Sequence, residues 1–187
     1  CSILFPNNIN QKLAVTGTNG KTSVASYVYQ IWQIQMENSA SIGTLGLKYK
    51  KKYAIKSNLT TPDPISNHKL LNYLDKLGCD RIIFEASSIG IHQKRLYPTK
   101  FNVIAFTNLS IDHMDYHKTM TSYKNSKSLL FSDYVSHDSV AVLNADSKYY
   151  DFFLKICKKK ELQILDYGKR ASFLKIISIK RLETSFE

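Results

Sequence analysis

The stretch Thr16-Gly17-Thr18-Asn19-Gly20-Lys21-Thr22 carries the residue types needed to hold a phosphate. Gly17 and Gly20 lack a Cβ, so a turn through them can take positive φ and aim successive backbone N–H groups at an anion, at the positive end of a following helix. Lys21 would reach the β- and γ-phosphates of a nucleoside triphosphate, and the Thr22 hydroxyl would bind the accompanying Mg2+. The general phosphate-loop pattern has a further glycine five positions before Gly20, where this chain has Val15, so only the tighter form T-G-T-N-G-K-T is present. The alternative reading is a plain strand-to-helix corner. The apolar Leu13-Ala14-Val15 before it and the helical pattern after it favour the cradle.

Two further groups stand at strand ends. Glu85 closes the apolar run Ile82-Ile83-Phe84, where an unpaired carboxylate is unfavourable to bury, so it faces either a cation such as Mg2+ or solvent. After a second apolar run, segment 107–117 places Asp112, His113, Asp115 and His117 within six positions, which is either a metal-ligand set or an ordinary polar loop.

The elements that must position these groups alternate. Val24, Tyr27, Val28, Ile31 and Ile34 recur at helical spacing and predict a helix of about four turns with one buried stripe, ending near Glu37-Asn38. Residues 40–44 read as a short strand and 45–57 as a lysine-decorated hairpin or loop excursion. Thr60-Thr61-Pro62-Asp63-Pro64 precedes a helix with Pro64 in its first turn and Gly78 at its end. Runs 81–86 and 102–107 read as strands buried on two faces. Residues 119–131 read as a helix, 139–143 as a strand, 150–156 as a helix and 162–165 as a strand. Alternating Phe173, Lys175, Ile177 and Ile179 suggest a last strand. This order predicts an α/β P-loop fold with an open, mostly parallel sheet flanked by helices, in which ligands bind beyond the carboxyl ends of the strands.

The 187 residues, 43% hydrophobic, suit one domain: 1–11 reads as a linker and 12–187 as the domain itself. A formal net charge of +11 fits an anionic partner without choosing among nucleotide, sugar phosphate and nucleic acid. Much of the excess lies in 48–56 and 155–160, which read as a solvated hairpin and a solvated helix end. Cys1, Cys79 and Cys157 are odd in number and widely spaced, so neither a disulfide framework nor a zinc site follows. No apolar run approaches the ~18 residues of a membrane span and no signal pattern opens the chain, so the cytoplasm is the expected location, with no membrane partner. The first residue is Cys rather than Met, which suits a fragment.

Taken together, several motifs resemble the ATP-dependent Mur ligases, and within them the central domain of the MurE-type UDP-N-acetylmuramoyl-tripeptide synthetases. They are Thr16 through Thr22, Thr60-Thr61-Pro62-Asp63, Glu85-Ala86-Ser87-Ser88, Gln93-Lys94-Arg95, Thr107-Asn108-Leu109-Ser110 and Asp112 through His117. The resemblance implies a ligase of peptidoglycan precursor synthesis that uses ATP and Mg2+. Such enzymes form an acyl phosphate on UDP-MurNAc-L-Ala-D-Glu, which the amine of a diamino acid then attacks. Gly17, Thr18, Asn19, Gly20, Lys21, Thr22, Ser23 and Asn108 would surround the nucleotide phosphates, with Asn144 and Asp146 near the adenosine. Thr22, Glu85 and His113 would bind metal. Lys127 falls where the family has a carbamylated lysine bridging to a second metal; without the resemblance it reads as a solvated helix lysine. Thr60, Thr61, Ser87, Gln93 and Arg95 would contact the UDP-MurNAc-dipeptide.

Leu59, Ile89 and Ile111 depart from the family pattern without removing a phosphate or metal ligand. The resemblance also implies N- and C-terminal ligase domains outside this chain, so the isolated domain is expected not to ligate. The choice between lysine and meso-diaminopimelate stays open. The alternatives are another member of the superfamily, such as a MurF-type ligase or a folylpolyglutamate synthetase, or a non-catalytic nucleotide-binding module. A nucleic-acid binder ranks behind these.

Overall fold

The computed structural model describes residues 3–50, 52–55 and 59–179. Strand β1 (Gln11–Thr16) alternates its side chains, sending Ala14 into a larger apolar cluster and Val15 into a smaller one on the opposite face. A tight turn leads into α1 (Lys21–Ile34), followed by β2 (Ser39–Gly43) and an antiparallel hairpin of β3 (Gly46–Tyr49) and β4 (Lys52–Ile55). Asp63 caps α2 (Pro64–Lys76) by accepting the Ile65 and Ser66 N–H groups at 3.0 Å each, with Pro64 in the first turn. Gly78, at φ +75, turns the chain out of that helix. Then come β5 (Arg81–Glu85), α3 (Ser88–His92), β6 (Phe101–Phe106), α4 (Met114–His117) and α5 (Met120–Ser132). The described chain closes with β7 (Val135–Asn144), α6 (Tyr150–Lys159), β8 (Gln163–Gly168) and the two-residue β9 (Leu174–Lys175).

The strands make one sheet in the order β4-β3-β2-β5-β1-β6-β7-β8-β9, antiparallel only at the β2-β3-β4 edge. Strand β5 returns between β2 and β1, and β6 then pairs on the far side of β1, so the sheet reverses its direction of growth at β1. A crevice at such a reversal is where open α/β sheets bind ligands. Helices α2, α3, α5 and α6 cover one face through Leu71, Leu74, Ile91, Leu130, Phe131 and Phe153, and α1 covers part of the other through Ala25 and Trp32.

The α/β alternation, the hairpin after β2 and the start of α2 agree with the sequence patterns. Three expectations are corrected. Helix α1 buries Ala25, Tyr29 and Trp32 rather than the stripe 24, 27, 28, 31, 34; Val24 and Val28 are half-buried, while Tyr27 is 65% and Ile34 81% exposed. Apolar residues occur nearly all round this helix, so spacing alone does not choose its face. Strand β6 is covered fully on one face only, since Val103 and Ala105 are half-buried and Asn102 is exposed. The alternation at 173–179 yields only β9, and its side chains are exposed. Helices α3 and α4 are too short to leave a periodic signal. Cys1 lies outside the described residues. Among the described residues no helix is long and apolar enough to cross a membrane.

His68, on α2, is 2% exposed, and burial holds its imidazole below the ordinary value of 6.5. The unfolded chain therefore takes up this proton at a higher pH than the folded chain. Stability is full above about pH 6.5 and falls as the pH drops through that value toward the depressed folded one. Urea titrations at about pH 7.5 and about pH 5.5 should show a smaller acid loss for His68→Leu than for the unaltered chain, and equal losses would place the titration elsewhere.

Candidate functional site

The turn between β1 and α1 is braced by the chain that follows β6. Thr18 N–H donates to Asn108 O at 2.9 Å and Asn19 N–H to Asn108 Oδ1 at 2.9 Å, while Asn108 Nδ2 and Thr107 Oγ1 donate to Asn19 O at 3.1 and 2.7 Å. A Cβ on Gly17 would collide with the Thr107 hydroxyl, and Gly20 enters α1 at φ +84, so both positions call for glycine. No side chain caps α1, which leaves its first-turn N–H groups without the usual acceptor and suits an anion there. Ser23 is exposed on that first turn. Lys21 folds over the loop, its Nζ donating to Gly17 O at 2.9 Å and Thr18 O at 2.8 Å. Burial lowers its pKa, partly offset by Glu85 and Asp112.

Glu85 is only 3% exposed, which excludes the reading in which its carboxylate emerges into solvent. Oε2 accepts from Thr22 Oγ1 at 2.7 Å and Thr44 Oγ1 at 3.1 Å, and Oε1 accepts from Thr44 N at 3.1 Å. Gly43 leaves the space that the carboxylate occupies. A buried carboxylate beside a phosphate-loop hydroxyl is a hard-oxygen donor set of the kind Mg2+ takes. Thr44 belongs to this cluster, although as a lone threonine after a short strand it carried no sequence signal.

The segment 107–117 does not form a metal cluster: no three His, Cys, Asp or Glu side chains among the described residues gather as a site. His117 is buried, with Nε2 2.9 Å from Ser88 Oγ and Nδ1 3.4 Å from Ser126 Oγ, and so ties α4 to α3 and α5. Asp112 accepts the His113 N–H at 2.8 Å. His113, left-handed at φ 53, lines the cleft at the head of the loop.

Lys127 is 1% exposed, which overturns its reading as a solvated helix lysine. Nζ donates to Gly17 O at 2.8 Å and lies 4.5 Å from the Tyr123 ring centroid. Burial, reinforced by the charge of Lys21 and opposed by Asp112, pushes its pKa down to about 7. Lys21, Thr22, His113 and Lys127 line a cleft of about 290 Å³ together with Thr60, Ser87 and Arg95.

The Thr60 hydroxyl lies 3.2 Å from that of Thr44, and Ser87 Oγ caps α3 by accepting Gly90 N–H at 3.1 Å. Thr61 is instead fully buried: its hydroxyl donates to Glu85 O at 2.9 Å and accepts Ser87 N–H at 3.0 Å, so it braces the wall from behind. Arg95 Nη1 donates to Thr61 O at 3.1 Å, and its Nε and Nη2 hold Gln93 Oε1 at 2.9 and 2.6 Å. Asn144 and Asp146 stand away from the cleft, at the end of β7. Asn144 Nδ2 donates to Thr107 O at 2.7 Å, and Asp146 accepts Lys169 N–H and Arg170 N–H at 2.9 and 3.1 Å, bonds that hold its carboxyl below the usual range. Beside them is a second hollow, lined in part by Ala145, Lys148, Tyr150 and Arg170.

A family model described as the Mur ligase middle domain matches residues 15–187. Over 168 residues the chain is 42% identical to the UDP-N-acetylmuramoyl-L-alanyl-D-glutamate--2,6-diaminopimelate ligase of Anaplasma marginale (strain St. Maries), covering 89% of this chain and 35% of that protein. The protein of the same name from Chelativorans sp. (strain BNC1) is 43% identical over 173 residues, 91% of this chain and 35% of that one. A solved UDP-N-acetylmuramoyl-L-alanyl-D-glutamate--2,6-diaminopimelate ligase superposes with a TM-score of 0.76 at 30% identity, covering 89% of this chain and 33% of that chain. A Mycobacterium tuberculosis folylpolyglutamate synthase complexed with ADP shares the fold alone, at a TM-score of 0.67 and 15% identity over 84% of this chain and 42% of that one. The chain spans about a third of the length of the curated relatives it matches.

Because a methyl group at Gly17 meets Thr107, Gly17→Ala should destabilise the chain by about 1–3 kcal/mol in urea unfolding, the usual cost of overpacking. Adding Thr107→Ala should recover part of the loss, whereas strictly additive losses would show that the contact is not the cause.

Proposed function

The chain belongs to the Mur ligase middle-domain family, and we propose that it is the ATP-handling part of a ligase that adds a diamino acid to UDP-MurNAc-L-Ala-D-Glu. The relatives' names favour 2,6-diaminopimelate over lysine as that diamino acid. The observation that carries the reading is the one cleft that Lys21, Thr22 and Lys127 share with Thr60, Ser87 and Arg95, with Glu85 bonded to Thr22. Lys21 and Thr22 suit a nucleotide's phosphates and Arg95 an anionic acceptor.

In the proposed reaction the γ-phosphoryl group passes from ATP to the terminal carboxylate of the dipeptide, giving an acyl phosphate and ADP. The amine of the diamino acid then displaces phosphate and forms the amide. Negative charge concentrates on the transferring oxygens, and Lys21 together with the start of α1 offsets it. Arg95, whose fork already holds a side-chain carbonyl oxygen, suits orientation of the incoming carboxylate. Thr22 and Glu85, with His113 on the same cleft, would hold Mg2+, which supplies further neutralisation at the phosphates. Asn144 and Asp146, on either side of Ala145 in the chain beside the second hollow, would place the adenosine as the family resemblance implies. The step fits peptidoglycan precursor synthesis in the cytoplasm, without nucleic acid or membrane.

Lys127 fits the carbamylation that the family resemblance implies. Only a neutral amine reacts with CO2, and burial beside Lys21 brings that form within reach near pH 7. The carbamate would turn a cation into an oxygen ligand.

Two measurements test the reading. Lys21→Ala should weaken Mg·ATP binding by roughly ten- to 150-fold, the loss of a charge-assisted contact of about 1.5–3 kcal/mol, in calorimetry on this chain; unchanged affinity would sink the assignment. With 13C-bicarbonate and Mg·nucleotide, the chain should show a carbamate resonance that Lys127→Arg lacks. A spectrum without that resonance would leave Lys127 an unmodified lysine.

A further inference from the structure

Tyr123, in the first turns of α5, is 0% exposed and so touches no ligand, yet it contacts both halves of the phosphate site. Its hydroxyl lies 3.2 Å from Thr18 Oγ1. Thr18 Oγ1 also accepts Ser110 N–H at 3.0 Å and lies 3.3 Å from Ser110 O, and when its proton goes to that carbonyl it accepts from the Tyr123 O–H. The Tyr123 ring faces Lys127 Nζ at 4.5 Å, one helical turn along, and that Nζ donates to Gly17 O. The circuit closes on itself: Gly17 and Thr18 are neighbours in the loop, and Tyr123 and Lys127 are neighbours on the helix. His117, with ring centroids 5.0 Å apart, packs against the tyrosine and is itself fixed by Ser88 and Ser126.

We infer that Tyr123 is a positioning residue for phosphate binding, clamping the Gly17-Thr18 backbone and the Lys127 side chain into one register. Thr107 and Asn108 hold the Asn19 end of the loop, and Tyr123 anchors Thr18 from the side of α5. A core tyrosine with a purely structural role would need only some acceptor for its hydroxyl. Here the acceptor is a side chain of the loop, and the ring meets the lysine that reaches the same loop. The inference rests on the nucleotide reading above but not on the amide chemistry.

The test uses the 187-residue chain. Tyr123→Phe keeps the ring and removes the donor: amide hydrogen exchange in the loop around Thr18 should quicken about two- to tenfold, and the Kd for a fluorescent Mg·ATP analogue should rise by a similar factor. Thr18→Val removes the acceptor at nearly constant shape, so the double variant Tyr123→Phe/Thr18→Val should bind no more weakly than Thr18→Val alone. Tyr123→Leu should also abolish the ring-current shift of the Lys127 ε-methylene protons, which Tyr123→Phe keeps. A lowered melting temperature with loop exchange and affinity unchanged would make Tyr123 an ordinary core residue and overturn the inference, as would losses that multiply in the double variant. If the unaltered chain binds no Mg·ATP, the nucleotide reading fails, and the exchange rates still decide the clamp.

Discussion

Two lysines donate to one carbonyl: Lys21 and Lys127 both place Nζ within 2.9 Å of Gly17 O, in a loop walled in by β1, α1 and the chain after β6. Like charges brought together away from water disfavour their own charged forms, and both pKa values are lowered here, chiefly by burial. Glu85 and Asp112 offset part of this for Lys21, and Asp112 alone for Lys127. An arrangement with surplus positive charge facing a helix start that has no side-chain cap is most favourable when an anion completes it. The glycines, the Thr107-Asn108 brace and the burial of α5 hold that arrangement in shape.

The convergence follows from the sheet. Strands β5, β1 and β6 are adjacent and parallel, with Val15 opposite Glu85 and Thr16 opposite Phe106. Their carboxyl ends therefore lie side by side, and the next residues of each meet: Glu85 from one, the phosphate loop from the second, Thr107-Asn108 from the third. The register fixes these approaches to within a residue, because a slip of one would turn Glu85 to the opposite face. Helix α5 then delivers Lys127 and Tyr123 from one side of the sheet and α1 delivers Lys21 and Thr22 from the other.

What the sequence disclosed depended on whether a feature was local. The strand-turn-helix around Gly17 to Thr22 was legible because its glycines, lysine and threonine lie within six positions, between one strand and one helix. Lys127 was not: its burial comes from the loop more than a hundred positions earlier, and only the family resemblance marked it out. Thr44 and Tyr123 left no trace, since each acts through a partner distant in sequence. Thr61 shows the reverse, a motif residue whose hydroxyl is engaged behind the wall it was expected to line. The buried face of α1 was misread for a related reason: several faces of that helix are apolar, and contact with the sheet chooses among them.

The donor set also constrains how a cation would enter. Among the described residues no acidic or imidazole triad is gathered, and near the loop the protein supplies the Glu85 and Asp112 carboxylates, neutral hydroxyls and His113. A hard divalent ion keeps several waters and takes substrate phosphates as ligands, so a site this sparse would need the nucleotide to complete it. Lys21 alone would favour the phosphates, and Glu85 alone would favour the metal. Placed a few residues apart in space, they match the metal–nucleotide pair better than either member, which makes joint binding the form of occupancy that the charges of this cleft favour.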